Sequence, residues 1–174
     1  MSWGEDDEPL GGDTDAVTAP DELVRWARRL GVLTTDPAPS VDARELHAAL
    51  ALRRAIYVTF AALARGDAPP RDALAQLERT HAAAVAAAQL VGRDGAWALD
   101  WPAGDPRRVR FAVCTDAVAL LGDERRVARV RRCPGRDCGW LFLDTSGRRR
   151  WCSMSTCGSR EKMRRMYERR RAPD

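Results

Sequence analysis

The sequence is poor in several residue types, and each scarcity narrows the classes of protein that it can encode. Its 174 residues include a single lysine, Lys162, two histidines, His47 and His81, and no asparagine. Side-chain amides are limited to Gln76 and Gln89. The histidines fall on different predicted helices, and no glycine-rich phosphate-binding loop is present. Since a catalytic base needs a partner and a pocket, we expect a protein that is not an enzyme.

The chain also lacks long hydrophobic runs. It contains no stretch of about 18 uncharged apolar residues, the length that a membrane-spanning helix requires. The first residues, MSWGEDDEPLGG, are acidic and rich in glycine, whereas a secretory signal has a basic start followed by an apolar run. These features predict a cytoplasmic protein without a membrane partner.

Charge is distributed unequally along the chain. Residues 125–174 contain 16 Lys and Arg against 5 Asp and Glu, a balance of +11, whereas residues 1–124 contain 13 against 20, a balance of −7. A basic segment on an acidic body indicates an anionic partner for that segment, or docking of the two halves on each other.

The N-terminal part predicts a flexible tail over residues 1–17 and a mainly helical domain over residues 18–124. Apolar residues recur there at helical spacing, in stretches that Gly and Pro separate. A weak capping box at Thr18 opens the first helix. Ser40 is expected to cap the second helix, which spans about residues 41–65.

The spacing of the apolar residues changes after the third predicted helix. The segment AQLVGRDGAWALDW predicts two short strands around Arg93-Asp94-Gly95, since Asp-Gly is a strong signal for a hairpin turn. A further helix is expected over roughly residues 106–121, capped by Asp105. Arg53, on an otherwise apolar face of the second helix, is expected to reach to solvent rather than line a cavity for an anion.

Four of the five cysteines are spaced as C-x4-C-x13-C-x4-C. In a reducing compartment, two such pairs favour metal ligation over disulfides. Four thiolates form a tetrahedral set for which Zn²⁺ is the usual occupant, and an all-sulfur set has no position for a catalytic water. The expected ligands of one structural zinc ion are Cys133, Cys138, Cys152 and Cys157. The fifth, Cys114, lies among apolar residues and is expected to be buried.

The four cysteines belong to a compact module over residues 125–174. A strand over residues 125–132 is expected to lead into the first pair of cysteines, where Gly135 and Gly139 are free to adopt positive φ. Residues 140–143 and 148–151 are expected to pair as a hairpin, and a helix follows the last cysteine. Knuckle, hairpin and helix together predict a treble-clef-like zinc finger. The overall class is α+β, with a predominantly helical N-terminal domain that carries one β-hairpin.

One stretch resembles a known family. The run C-x4-C-G-W-L-F-L-D-x-S…R-R-W-C-S-M-x-x-C-G-x-R-x-K is similar to the CGNR zinc finger over residues 126–171. In that family the finger ends bacterial proteins whose upstream ABATE domain is described as a stress-induced transcription regulator. Ser159 replaces the asparagine of the family motif, and MSWGEDDEPLGGDTDAV replaces the usual apolar N-terminal segment. The resemblance implies a regulator whose helical domain senses a signal or dimerises.

An arginine-rich helix is expected after the last cysteine. Met163, Met166 and Tyr167 fall at helical spacing and are expected to pack on the hairpin. Forked cationic donors at intervals suit the phosphates of a nucleic acid. The candidate nucleic-acid contacts are Arg148, Arg149, Arg150, Arg160, Arg164, Arg165, Arg169 and Arg171. These residues predict a DNA-binding transcription regulator.

Two other functions remain open from the sequence. The finger is alternatively a protein-interaction or homodimerisation module without direct contact to nucleic acid. Oxidation of the thiolates with release of the metal would instead make the finger a redox switch. The residues specify neither a DNA target nor a ligand for the helical domain.

Overall fold

The computed structural model describes residues 2–3, 9–10, 17–34, 37–93 and 95–171. Within these ranges the helices are α1 (Pro20–Arg29), α2 (Ala43–Arg65), α3 (Arg71–Ala87), α4 (Arg108–Leu121), α5 (Glu124–Val127) and α6 (Ser159–Arg171). The strands are β1 (Ser2–Trp3), β2 (Pro9–Leu10), β3 (Gln89–Arg93), β4 (Ala96–Asp100), β5 (Val130–Arg132) and β6 (Leu141–Leu143). Each odd-numbered strand pairs with the next strand in an antiparallel, two-stranded sheet. The predicted α+β class is confirmed.

The long helix α2 begins two residues later than predicted, because its cap is Asp42 and not Ser40. The Asp42 Oδ1 accepts a hydrogen bond from the Glu45 backbone N–H at 2.7 Å, which satisfies one of the unpaired donors of the first turn. The helix ends at Gly66, which adopts φ 82°. A left-handed residue at this position lets the chain leave the helix while its last carbonyls stay hydrogen-bonded.

The starts of α1 and α4 are also shifted. At α1 the Glu22 Oε2 accepts hydrogen bonds from the backbone N–H groups of Thr18 and Ala19, at 2.7 and 2.9 Å. The N-cap is therefore Ala19, one residue after the predicted position, and Glu22 occupies the third helical position. The first residue of α4 is Arg108, and Asp105 accepts a backbone hydrogen bond just ahead of it.

The core of the helical region surrounds α2, which packs against α3 and α4. Leu52 of α2, Leu77 of α3 and Cys114 of α4 form one buried cluster. Cys114 is completely buried, as predicted, and its Sγ lies 3.6 Å from the Leu77 carbonyl oxygen. Trp101 and Phe111 belong to a second cluster, between α3 and α4.

By length and composition alone, α2 is also long and apolar enough to cross a membrane. Such a helix was not expected from the sequence. Within the protein, 44% of its most apolar window is buried. Because core helices of globular proteins satisfy the same criterion, this property is weak evidence for a membrane-spanning segment.

Two ion pairs are largely withdrawn from solvent. Arg110 of α4 donates to both carboxylate oxygens of Glu45 on α2, at 2.6 and 2.9 Å. Arg108, whose side chain is 5% exposed, donates to Asp100 at the end of β4 at 2.7 Å. A charge in such a position needs its partner, since loss of one member leaves the other desolvated and uncompensated. The pairs therefore fix α4 against α2 and against the hairpin.

The predicted hairpin is confirmed as β3 and β4. Gln89 lies opposite Asp100 and Arg93 opposite Ala96, and Gly95 in the turn adopts φ 82°. Side chains on one face of a strand alternate with those of the other face. The hairpin exposes three large apolar side chains, those of Leu90, Trp97 and Leu99.

Most of the predicted flexible tail, residues 1–17, lies outside the described residues. Strands β1 and β2 pair with each other within it. Val17, its last residue, is buried in an apolar cluster with Leu23 of α1 and Leu46 of α2. The packed part of the helical domain therefore includes Val17.

The sheet of β5 and β6 connects the C-terminal module to the helical region. Val130 lies opposite Leu143, and Arg132 lies opposite Leu141. Leu141 and Leu143 pack on the cluster that contains Phe60 of α2. On the other face of β6, Phe142 packs against the cysteines. Because successive side chains of β6 point to opposite faces, this strand contacts both the core of the helical region and the cysteine cluster.

Two details of the predicted finger are wrong. Residues 125–132 form the end of α5 and then β5 instead of one strand. The partner of β6 is β5, and residues 148–151 are not a strand. Pairing with β5 directs the two outer leucines of β6 onto α2 and α4. Their apolar surface is thereby buried, whereas an isolated hairpin would expose it.

Candidate metal centre and basic helix

The four cysteines predicted to bind metal converge at one point. β5 ends just before Cys133, Cys138 precedes β6, and Cys152 and Cys157 lie before and within a π-helical turn, Met154–Gly158. All four Sγ atoms lie within 4.8 Å of one another. The Sγ atom of Cys152 lies 3.7 Å from that of Cys138 and 3.6 Å from that of Cys157.

This geometry fits zinc. A tetrahedral ion with Zn–S bonds of about 2.3 Å separates its sulfur ligands by about 3.8 Å. The two edges of the cluster that meet at Cys152 agree with that spacing, at 3.7 and 3.6 Å. The four cysteines therefore form a closed site for one structural zinc ion. A bound zinc ion supplies the cross-link that such a small module lacks and leaves no ligand position for a substrate.

Gly135 is required in the first knuckle because of space. A Cβ at this position would lie 3.1 Å from the Cys157 Sγ and 3.4 Å from the Cys138 Cβ. The expectation that Gly135 and Gly139 adopt positive φ is wrong, because Asp137 makes the left-handed turn here, with φ 55°. Asp is one of the few residues that tolerate this conformation.

Hydrogen-bond donors point at three of the sulfur atoms, among them the Trp140 backbone N–H at the Cys138 Sγ. The Cys152 backbone N–H donates to the Cys133 Sγ at 3.4 Å. The Arg160 guanidinium donates to the Cys157 Sγ, also at 3.4 Å. Donors of this kind favour the thiolate over the thiol and so favour metal binding.

Without metal the thiols would differ in their acidity. Burial raises the pKa of Cys138 to about 11 and also raises the pKa of Cys152. Burial opposes ionisation of Cys157 as well, but hydrogen bonds from the other cysteines and from Arg160 lower its pKa to about 7. Since zinc binds thiolates, loading of the site releases protons.

The loop between β6 and Cys152 is organised by Asp144 and Arg149. The buried carboxylate of Asp144 accepts hydrogen bonds from the Ser146 hydroxyl and the Arg149 backbone N–H, both at 3.1 Å. The Arg149 guanidinium lies 4.7 Å from the centre of the Phe142 ring and donates to the carbonyl oxygens of Trp151 and Cys152. Arg149, a predicted nucleic-acid contact, thus holds the loop together. Sequence reasoning missed this because the contacts are to backbone carbonyls.

The arginines predicted on α6 differ in their surroundings. Arg164 donates to Glu161 at 2.8 Å and to Glu168 at 2.5 Å. Arg165 donates to Glu161 at 2.7 Å. Hydrogen bonds from these two arginines lower the pKa of Glu161 to about 2, so it is charged at neutral pH. Part of the positive charge of α6 is therefore compensated within the helix.

The remaining predicted contacts are exposed. Arg148 and Arg171 project from the loop and from the end of α6. Arg150 lies 5.3 Å from the centre of the Trp151 ring, and the Arg169 Nε donates to the Arg165 backbone carbonyl at 3.3 Å. A groove of about 540 Å³ separates Arg150 and Trp151 from α6, where Lys162 and Arg169 also line it.

Of the three residues predicted to pack on the hairpin, Met166 is half-buried, but the prediction is wrong for Met163 and Tyr167. Their side chains are 55% and 64% exposed, and α6 has no buried residue. The Ser159 hydroxyl, at the position of the altered motif, donates to the Met154 carbonyl oxygen at 3.1 Å and so joins α6 to the π-helical turn. Beyond that turn, α6 projects from the module.

A helical domain followed by a treble-clef-like module with four cysteine ligands defines a zinc-finger protein. The family model ABATE, "Putative stress-induced transcription regulator", matches residues 6–124, and the CGNR zinc finger matches residues 129–170. The ABATE match covers more than half of the chain, so the protein belongs to the ABATE family and ends in a CGNR zinc finger. The resemblance seen in the sequence is confirmed. No curated protein matches the chain.

Proposed function

We propose that this protein is a cytoplasmic, non-enzymatic transcription regulator whose zinc finger binds DNA through α6 and the adjoining loop. The observation that carries the proposal is the exposure of α6. None of the side chains of this helix is buried, and its arginines face solvent. A projecting basic helix can approach a duplex without first leaving a protein surface. Membership of a family described as transcription regulators agrees with this role.

The exposed cations are best suited to phosphate contacts. Arg148, Arg150 and Arg171 are exposed to solvent, where a phosphate can reach them. Arg164 and Arg165 are bound to glutamates and would have to exchange these for phosphates. The finger contains no Asn or Gln to read adenine. Contacts to the DNA backbone therefore contribute more to the proposed binding than contacts to bases do.

The test is binding of the zinc-loaded protein to a labelled duplex over a series of salt concentrations. We expect the logarithm of the binding constant to fall steeply with the logarithm of salt concentration. Replacing Arg148, Arg150 and Arg171 with Gln should reduce that slope by about 1 for each phosphate that loses its arginine. A matched variant with Gln at Arg29, Arg44 and Arg71, exposed arginines of the helical domain, should bind like the parent. If the two variants lost DNA affinity to the same extent, the assigned surface would be wrong.

One observation favours a second function, protein interaction or homodimerisation through the finger. Met163 and Tyr167 expose apolar surface on α6, together with Met154 of the preceding turn. Absence of DNA binding at low salt, combined with a dimer in sedimentation that Tyr167→Ser dissociates, would support this function instead.

A further inference from the structure

A cavity of about 490 Å³ lies where the helical domain meets the zinc finger. Its walls come from α1, α2 and α4 on one side and from Trp140 and Leu141 of the finger on the other. The volume is within the range of sites that enclose a small molecule, about 300–1,000 Å³. The cavity is separate from the groove beside α6 and shares no lining residue with it.

Most of the described lining residues are apolar, including Leu23, Trp26 and Ile56. The charged groups among them are two guanidiniums, those of Arg53 and Arg110, and no carboxylate is among them. Glu45, outside the lining, compensates Arg110, and Arg53 also interacts with another group of the protein. A guanidinium has five N–H donors, and a single protein partner does not occupy all of them. It binds a carboxylate with two parallel hydrogen bonds. Apolar walls with guanidiniums suit an apolar molecule that carries a negative charge.

We propose that this cavity is a binding site for a small apolar carboxylic acid, whose carboxylate contacts Arg53 and whose aliphatic or aromatic body contacts the apolar wall. Arg53 was expected to reach to solvent, but it is half-buried and lines the cavity instead. The site does not depend on DNA binding by the finger, so the two proposals fail separately.

The cavity is also connected to the metal centre. Tyr57, which lines it, donates its hydroxyl to the Gly139 carbonyl oxygen at 2.7 Å. Gly139 lies directly between the zinc ligand Cys138 and Trp140, which also lines the cavity. An occupant therefore contacts the same side chains that seat the first knuckle on α2. Occupancy of the cavity is expected to stabilise the finger against loss of zinc. A ligand that binds only the folded, zinc-loaded state shifts the equilibrium toward that state by mass action.

The test compares octanoate with octan-1-ol, which has the same chain and no charge, in calorimetric titrations of the zinc-loaded full chain. We expect octanoate to bind at least about tenfold more tightly, a difference of about 1.4 kcal/mol. Arg53→Met should remove this preference and leave octan-1-ol unaffected. Arg44→Met, an exposed arginine on the same helix, should leave both affinities unchanged.

A second variant tests the cavity itself. Ala49 lines it, and Ala49→Trp should narrow it and weaken binding of both probes. Circular dichroism and zinc content establish that each variant is folded; if Ala49→Trp is not, Arg53→Met decides the question alone. Failure of octanoate to bind the parent chain, equal affinity for both probes, or an unchanged preference in Arg53→Met would each overturn the proposal.

Discussion

Helix α2 of the helical domain is packed against α3 and α4 and buries Leu52, Tyr57 and Phe60, whereas α6 of the finger buries no residue. The helical domain thus has a core large enough to be stabilised by burial of apolar surface, at about 25 cal/mol per Å². In the finger, the buried cluster consists of three cysteines and Phe142. One chain therefore uses two sources of stability, apolar packing in one region and a metal cross-link in the other.

Removal of one zinc ligand should have the largest effect. Cys133→Ser replaces a thiolate with a poor ligand, and structural zinc contributes on the order of 10 kcal/mol or more to folding at neutral pH. We expect zinc content to fall well below one equivalent and the finger to become sensitive to proteolysis, while α2, α3 and α4 stay folded. Circular dichroism and mass spectrometry of protease fragments measure the two regions separately.

The control is Cys114→Ala, which also removes a thiol, but from the core of the helical domain. It should retain one equivalent of zinc and lower the stability of the helical domain. If Cys133→Ser still bound one equivalent with the affinity of the parent, the assignment of the four ligands would be wrong.

The second prediction concerns the helical domain. Arg110→Ala leaves the carboxylate of Glu45 buried and uncompensated, at a cost of about 3–5 kcal/mol. Chemical denaturation should show this decrease in stability, and zinc content should not change. Asp67→Ala breaks an ion pair with Arg65 whose members are 61% and 40% exposed, so it should alter stability by about 0–1 kcal/mol. Similar destabilisation of the two variants would contradict the burial argument.

The third prediction tests the close packing at the metal. Gly135→Ala places a methyl group 3.1 Å from the Cys157 Sγ, and overpacking of this kind costs about 1–3 kcal/mol. Zinc affinity, measured by competition with a chelator, should fall accordingly. Gly104→Ala is the matched control, because its Cβ would meet nothing within 4 Å. Equal zinc affinity in both variants would show that the knuckle adjusts without cost.

Sequence reasoning succeeded where a property depends on local spacing. The four ligands follow from the intervals between cysteines, the hairpin from Asp-Gly, and the end of α2 from Gly66. It failed where the outcome depends on distant surfaces. Strand β6 pairs with β5 because its leucines face α2. Nothing in the sequence of residues 148–151 shows that β5 is preferred over this segment as the partner of β6.

The failure at α6 has a related cause. The spacing of Met163 and Tyr167 predicts an amphipathic helix, but amphipathicity does not specify whether a surface is present to cover its apolar side. The pattern is the same in a packed and in a projecting helix. The cavity beside Arg53 was missed for the same reason, since its walls come from three helices and the finger.

The smallest effect on stability is expected at the surface of the finger. Glu161 binds both Arg164 and Arg165, so Glu161→Gln would release Arg165, leave Arg164 paired with Glu168 alone, and make the net charge of α6 more positive by one. Stability should change little, because the two arginines are 48% and 54% exposed and salt screens the pairs. If α6 lies on DNA, affinity should rise several-fold at low salt and the salt slope should steepen. Glu78→Gln, on the exposed side of α3, adds the same charge and should have no effect.

The pH dependence of this variant separates the charge effect from a change of fold. The pKa of Glu161 is about 2, below its ordinary value of 4.5, so its carboxylate keeps its charge above pH 4.5 and loses it only as the pH falls through about 2. The ratio of the DNA affinities of Glu161→Gln and the parent should therefore be constant between about pH 5 and 8. A ratio that approached one toward about pH 5 would mean that Glu161 becomes protonated there. Its pairing with Arg164 and Arg165 would then not persist in solution.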